Sequence, residues 1–162
     1  MKIIKWVVNV LTTLIIILGL IIGGLYVLGI KPYIVLSGSM EPKVPTGSIC
    51  FINTGVKYDN IKEKDIIAFK VENVLVTHRV VAITEEGMVT KGDANEENDA
   101  VITTKENYVG KNIYSIPKVG YVVRAIQTTK GKIIFGTVVV LLLVSAIFFG
   151  EVDKKKEKEN NK

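Results

Sequence analysis

The chain has 162 residues, of which 48% are apolar, and this length suits about one soluble domain with short additions. Its formal net charge is +5, but residues 31–132 hold 14 basic and 12 acidic side chains without a basic stripe interleaved with aromatics, which excludes a nucleic-acid partner. One cysteine and one histidine are too few for a metal cluster or an intrachain disulfide, and we expect no cofactor.

The first apolar stretch predicts a membrane-spanning helix. Residues 1–5 form a short N-terminus with two lysines, and residues 6–30 continue for 25 positions without a charge. A helix of that length crosses a hydrocarbon core of about 30 Å. A cleaved signal peptide is the alternative, but the apolar stretch is too long and lacks a small-residue cleavage site, so we expect an uncleaved anchor.

Residues 31–132 predict an all-β domain, because short runs rich in β-branched and aromatic residues alternate there with turn residues. The longest run, Val74–Ile83, is expected to be a central strand. Cys50 lies in another run and is interpreted as a small buried hydrophobe rather than a reactive thiol. The predicted strands are Tyr33–Leu36, Ser48–Ile52, Asp65–Val71, Val74–Ile83, Met88–Lys91 and Tyr108–Ile116.

The C-terminal part predicts a second span. Residues 121–129 fit either a strand or a short amphipathic approach to the membrane, and residues 133–150 are 18 positions without a charge or a polar face, which favours a membrane helix over a buried core helix. The charged tail, residues 151–162, is predicted to be disordered and cytoplasmic. Lysines at the outer ends of both spans place the β domain outside the cell, in a multi-pass protein of the cell membrane.

Three segments of the β domain carry side chains suited to chemistry. Ser37-Gly38-Ser39-Met40-Glu41-Pro42 is a turn, and Ser39 lies nine residues beyond Ile30, which keeps it within roughly 30 Å of the membrane end. His78 is the only imidazole, and imidazole is the side chain that most often activates a serine hydroxyl. The acidic turn Gly92–Asp99 offers carboxylates that can orient an imidazole. Taken singly, each segment also fits an ordinary turn, core or solvated loop.

Together the three segments resemble the type I signal peptidase family, and in detail its endoplasmic-reticulum-type branch (peptidase family S26B), which also occurs in Gram-positive bacteria and archaea. Ser37–Pro42 is similar to the nucleophile box, and Thr77-His78-Arg79-Val80 is similar to the general-base box. Lys91-Gly92-Asp93-Ala94-Asn95 with Asp99 is similar to the acidic box. The common bacterial enzymes carry lysine at the base position, so the histidine indicates the branch.

The resemblance implies a mainly β, signal-peptidase-like domain and a serine endopeptidase that removes signal peptides from exported preproteins at the outer face of the lipid bilayer. Ser39 would then be the nucleophile, His78 the general base and Asp99 the residue that orients His78, with Asp93 in a supporting role. The oxyanion would be bound by the Ser39 backbone N–H and the Ser37 hydroxyl. The family usually has Gly-Asp where this chain has Gly47-Ser48 and Lys64-Asp65, so altered loop geometry is expected at both places.

Substrate contacts are expected beside Ser39 and His78. An extended signal peptide can add to a sheet edge, while shallow apolar pockets select the small residues that precede the scissile bond. We hypothesise that these pockets are formed by Ile34, Val35, Leu75 and Val76.

Two other functions stay open at this point. One is the processing of a few dedicated exported proteins, and the other is a non-catalytic membrane-anchored β module that scaffolds an export complex. A cysteine transpeptidase of the sortase kind is disfavoured, because Cys50 precedes His78 and no later strand contains cysteine. Side chains of Ser39 and His78 more than about 6 Å apart would favour the scaffold.

Overall fold

The structure is a computed structural model that describes the backbone of residues 2–160 and the side chains of residues 2–150. It divides into two compact units. Residues 25–124 form a β unit, and the residues up to 24 together with those from 125 onward form a helical unit.

The β unit is one six-stranded antiparallel sheet with the strand order β1-β2-β6-β3-β4-β5. The mainly β fold predicted from the sequence is therefore confirmed. The strands are β1 Ile30–Ile34, β2 Ile49–Asn53, β3 Ile66–Val71, β4 Val74–Ile83, β5 Met88–Lys91 and β6 Tyr108–Ile116.

Three strands have the predicted bounds, and β1 differs most from its prediction, Tyr33–Leu36. It starts at Ile30, inside the stretch predicted to be a span, because Ile30 pairs with Asn53 and draws the end of the apolar run into the sheet. Gly29, with φ of +75°, makes the turn that separates β1 from the preceding helix. β4 is an interior strand as expected, but β3 is the more deeply buried of the two.

The sheet buries apolar side chains on both faces. In β3, Ile66 and Ala68 belong to one cluster, whereas Ile67 and Phe69 belong to another, as the two-residue period of a strand requires. The first cluster is formed by Met40, Val44, Cys50, Ile52, Ile66 and Ala68, and the second by Ile61, Ile67, Phe69, Val80 and Met88.

The sheet is strongly curved. Tyr33 of β1 and Leu75 of β4 pack against the same cluster, although three strands lie between β1 and β4 in the sheet. This curvature brings the loop that follows β1 next to β4, and the candidate site lies there.

Three α-helices accompany the sheet. They are α1 Lys2–Val27, α2 Val119–Gln127 and α3 Thr129–Asn160. Within the described residues, Lys2–Val27 and Thr129–Gly150 are long and apolar enough to cross a membrane, by length and composition. The ambiguous segment 121–129 is helical in α2, not a strand.

The charged tail differs from its prediction. α3 continues to Asn160 through most of the segment predicted to be disordered, because lysine and glutamate are good helix formers that extend a helix already nucleated. Asn161 and Lys162 lie outside the described residues.

Candidate active site

Ser39 lies in the loop between β1 and β2. Buried side chains and hydrogen bonds of the residues after Ser39 hold this loop in place. Met40 and Val44 are each 1% exposed in the core, and Val44 N–H donates to the Met40 carbonyl at 2.8 Å. A Glu41 carboxylate oxygen accepts hydrogen bonds from the backbone N–H and hydroxyl of Thr46 at 3.2 and 3.0 Å. The loop is therefore rigidly supported while Ser39 stays half-buried at the surface.

β4 supplies the imidazole. His78 is opposite Ile67 of β3 in the sheet register, is 7% exposed, and has its ring edge-on to Phe69 with 6.3 Å between centroids. Its Nε2 lies 2.9 Å from the Ser39 Oγ. The two side chains thus converge across 39 residues of sequence, well inside the 6 Å criterion.

Asp99 lies on the other side of the imidazole. The His78 Nδ1 is 2.9 and 2.7 Å from its two carboxylate oxygens. A proton on Nδ1 donates to this carboxylate, which leaves Nε2 as an acceptor for the Ser39 hydroxyl. The structure therefore brings the three predicted catalytic side chains into one hydrogen-bonded chain.

Thr90 fixes Asp99 in place, and sequence reasoning missed it. The fully buried Thr90 hydroxyl donates to the Asp99 Oδ2 at 2.6 Å, and the Asp99 N–H donates to the Thr90 carbonyl at 2.8 Å. The sequence does contain one signal for this role, a threonine in a short predicted strand. If its hydroxyl is buried, it needs a hydrogen-bond partner. The sequence does not say which partner.

Asp93 is placed apart from the imidazole. Its carboxylate binds the Arg79 guanidinium in a bidentate pair at 2.7 and 2.6 Å, and Arg79 also donates to the Lys64 carbonyl at 2.8 Å. The hydrogen bonds that Arg79 donates to the Asp93 carboxylate raise the pKa of Arg79 above its ordinary value. The next residue, Ala94, donates its N–H to the Ser39 carbonyl at 2.8 Å. Asp93 thus anchors the turn that holds the serine loop.

Gly92 allows this turn to approach the serine loop. A Cβ at Gly92 would lie 2.6 Å from the Ser39 carbonyl oxygen, which is closer than real Cβ contacts come. The Gly92 position therefore excludes any side chain, and the glycine of the acidic segment has a steric reason.

Ser37 lies beside the nucleophile candidate. Its Oγ is 3.2 Å from the Ser39 Oγ, and its side chain is exposed. A hydroxyl at that distance can donate to an oxygen that forms on a carbon bonded to Ser39.

A cavity of about 460 Å³ opens beside Ser39 and His78. All four residues predicted to contact substrate line it: Ile34, Val35, Leu75 and Val76. Val35 and Leu75 also pack against the first core cluster, which borders the cavity. Sequence reasoning missed Tyr33, Met40 and Val44 among its walls.

The other two residues predicted to contact substrate, Ile34 and Val76, also pack against parts of the domain other than the first core cluster. Val76 packs against the second cluster on the opposite side of β4, and the Ile34 Cγ2 lies against Gly120 of α2. Strand alternation explains both, since neighbouring residues point to opposite faces.

Cys50 lies at the floor of the cavity. It is fully buried, and its Sγ lies 3.3 Å from the Ser115 Oγ. Burial raises the pKa of this thiol above its ordinary value, which makes it a poor nucleophile.

Comparison with known proteins gives the family. The family model described as signal peptidase, peptidase S26, matches residues 3–141. The chain belongs to this family.

The curated relatives of this chain come from bacteria, mammals and fungi. The chain is 36% identical to signal peptidase I W of Bacillus subtilis (strain 168) over 110 residues, which are 60% of this chain and 58% of the relative. It is 35% identical over 103 residues to the human signal peptidase complex catalytic subunit SEC11C, covering 55% of this chain and 53% of that subunit. It is 32% identical over 102 residues to the SEC11 subunit of Colletotrichum graminicola, covering 55% and 59%. The chain thus spans between about half and three fifths of the length of these relatives.

At both places where the chain departs from the usual family pattern, Gly47-Ser48 and Lys64-Asp65, the first residue has a positive φ. Gly47 has φ of +79°, and Lys64, at a position where glycine is usual, has φ of +74°. Lys64 therefore adopts the left-handed conformation that glycine adopts freely and that costs other residues about 1–2 kcal/mol.

Proposed function

We propose that this chain is a membrane-bound serine endopeptidase that removes signal peptides from exported preproteins at the outer face of the cell membrane. The observation that carries the proposal is the hydrogen-bonded chain from Ser39 through His78 to Asp99 beside an apolar cavity. Family membership supports it, and the relatives are named as signal peptidase I and as catalytic subunits of a signal peptidase complex.

In the first half of the reaction, the Ser39 Oγ attacks the scissile carbonyl carbon while the His78 Nε2 takes its proton. The carbonyl electron pair moves to oxygen, and the Ser39 N–H and Ser37 hydroxyl donate to that oxyanion. Asp99 stabilises the imidazolium through Nδ1. Collapse of this intermediate breaks the C–N bond, and His78 returns the proton to the leaving amine, which is the new N-terminus of the exported protein.

In the second half, a water molecule attacks the acyl ester on Ser39 as His78 takes one of its protons. The tetrahedral intermediate collapses, the C–O bond to Ser39 breaks, and the proton returns to the Ser39 oxygen. The signal peptide leaves with a free carboxylate. The cycle uses the side chains already placed, the Ser39 backbone N–H and one water molecule.

Two features support a signal peptide as the substrate. The cavity beside Ser39 has apolar walls that suit short side chains before the scissile bond. The two helices long enough to span a bilayer support a membrane location, where a signal peptide presents its cleavage site.

The decisive test replaces Ser39 by alanine and assays the full chain in liposomes with preproteins from its host. We expect Ser39→Ala and His78→Ala each to lower cleavage by a factor of about 10⁴ or more, since removal of a triad member has effects of that size. Cys50→Ser is the matched control and should cleave at the parent rate.

Full activity of the Ser39→Ala protein would contradict the proposal. The same preprotein panel measures whether many substrates or only a few are cleaved. The scaffold alternative is disfavoured by the 2.9 Å contact between His78 and Ser39, which a scaffold does not need.

A further inference from the structure

α2 packs on the β unit through a glycine. Gly120 is buried, and its N–H donates to the Gly47 carbonyl at 2.9 Å. A Cβ at Gly120 would lie 2.6 Å from that carbonyl oxygen and 2.9 Å from the Ile34 Cγ2. The Tyr121 ring covers Gly47 so closely that a Cβ there would overlap it. The side of α2 that faces the β unit is therefore fixed by close backbone contact.

The opposite side of α2 is apolar and exposed. Val122 is two positions from Gly120, about 200° around a helix of 3.6 residues per turn, and it is 61% exposed. Val119, on the flank of the same side, is 39% exposed. An ordinary surface helix turns its apolar side to the core, whereas α2 leaves Val119 and Val122 exposed and Val123 and Ile126 only half-buried.

Charge and chain connection indicate what covers this side. Lys118 precedes Val119 and Arg124 follows Val122 along the chain, and both basic side chains are exposed. α2 ends at Gln127, and α3, whose residues up to Gly150 can cross a membrane, begins at Thr129. Apolar residues flanked by cations beside a span suit the boundary between acyl chains and anionic headgroups.

We propose that α2 is an interfacial helix that inserts Val119 and Val122 into the lipid–water boundary of an anionic bilayer, with Lys118 and Arg124 at the headgroups. This proposal goes beyond peptide cleavage and rests on the packing of α2, not on the catalytic assignment.

Interfacial binding of α2 has a consequence for the site. Gly47 accepts the hydrogen bond from Gly120 of α2 and donates its own N–H to the Val35 carbonyl at 2.9 Å. Val35 lines the cavity. Val35 is in turn two residues from Ser37. A helix held at the headgroups would thus set the height of the nucleophile loop above the lipid surface.

The test uses spin labels on single cysteines in the full chain, in a Cys50→Ser background. The variants are Val122→Cys, Leu141→Cys in α3 as the hydrocarbon reference and Glu86→Cys in the turn between β4 and β5 as the aqueous reference. Each purified protein is placed in vesicles of equal parts phosphatidylcholine and phosphatidylglycerol, with a nickel chelate on both sides of the membrane. Accessibility of each label to oxygen is divided by its accessibility to the chelate.

We expect the ratio at residue 122 to be several-fold above that at residue 86 and closer to that at residue 141. Vesicles of phosphatidylcholine alone, or the further change Arg124→Gln, should lower it. A ratio at residue 122 equal to that at residue 86 in the anionic vesicles would overturn the proposal, and it would indicate a protein partner or bare solvent on this side. A ratio insensitive to lipid charge would overturn the role of the cations. Because the readout is spectroscopic, an inactive enzyme would not affect it.

Discussion

At the scale of single residues, the orientation of the imidazole depends on a group three contacts away from Ser39, the proposed nucleophile. His78 is aligned by Asp99, and Asp99 is aligned by the buried Thr90 hydroxyl at 2.6 Å. Without that hydroxyl, the carboxylate loses a charge-assisted hydrogen bond, which is worth about 1.5–3 kcal/mol. Thr90 is a positioning residue, because it acts through Asp99 and touches neither Ser39 nor substrate.

We therefore predict that Thr90→Val lowers kcat by about ten-fold to a hundred-fold and leaves KM nearly unchanged, since the lost bond matters when His78 becomes charged. Thr90→Ser should restore most of the rate, because it keeps the donor. Steady-state cleavage of a preprotein measures both constants. Thr84→Val, which removes a hydroxyl bonded to the Gly87 carbonyl in a distant turn, is the control. Equal kcat for Thr90→Val and the parent would show that Asp99 needs no such support.

Substrate selection is also a matter of single side chains. Leu75 packs at the cavity with Val35, whereas Val76, the next residue, packs on the opposite side of β4. We predict that Leu75→Ala allows cleavage of a preprotein with leucine in place of a small residue before the scissile bond. Val76→Ala should lower the free energy of unfolding without this change in selectivity.

Competition between the two precursors in one reaction measures the ratio of their kcat/KM values. If Leu75→Ala keeps the parent ratio, Leu75 does not shape the pocket that receives the residue before the scissile bond.

At the scale of elements, the turn into β3 contains a residue in an unfavourable conformation. Lys64 has φ of +74°, while its N–H donates to the Val80 carbonyl and its own carbonyl accepts from Arg79. These two bonds hold the backbone in place. The turn thus ties β3 to β4 and to the Arg79–Asp93 pair at the cost of local strain.

Lys64→Gly should raise the free energy of unfolding by about 0.5–1 kcal/mol, because glycine adopts positive φ without strain and loses only part of this gain in chain entropy. Denaturant unfolding of the full chain in detergent measures the change. Lys62→Gly, two residues earlier and without positive φ, should lower stability by a similar amount. A loss of stability in Lys64→Gly would mean that the lysine side chain itself stabilises the turn.

The sequence predicts where the strands lie along the chain better than it predicts which strands pair with one another. Bounds for β4, β5 and β6 follow from short runs rich in β-branched and aromatic residues between turn residues, a local signal. The start of β1 at Ile30 depends on pairing with Asn53, which no local pattern encodes. The same limit holds at the site: the motifs that contain Ser39, His78 and Asp99 are readable, but the hydroxyl of Thr90 that supports them is visible only once β5 is placed.

At the scale of the whole molecule, the stability of the β unit should depend on a tyrosine in alkaline solution. Tyr108 donates its hydroxyl to the Val56 carbonyl at 3.0 Å and packs edge-on to Tyr58. Burial, with a smaller effect of the charge on Asp65, raises the pKa of Tyr108 to about 12. An unfolded tyrosine has a pKa of about 10. The native state therefore holds this proton more tightly than the unfolded state does.

The contribution of Tyr108 is fully present below about pH 10 and is lost as the pH rises from about 10 to about 12. We predict that Tyr108→Phe lowers the free energy of unfolding at neutral pH, because it loses the hydrogen bond to the Val56 carbonyl. We also predict that the free energy of unfolding of this variant falls less steeply than that of the parent between about pH 10 and about pH 12. Denaturant midpoints across the alkaline range measure the difference from the parent. Tyr114→Phe, at an exposed position, is the control. Parallel alkaline profiles for parent and Tyr108→Phe would contradict the assignment.

The strand order has a consequence for when the proposed peptidase could become active during synthesis. β6 is the last strand in the chain, yet it lies between β2 and β3. The half of the sheet next to Ser39 and the half that carries His78 are linked by strand pairing through β6. We therefore expect a nascent chain that ends before Ile116 to contain Ser39, His78 and Asp99 without the complete sheet, so the proposed peptidase should become active only after β6 has been translated.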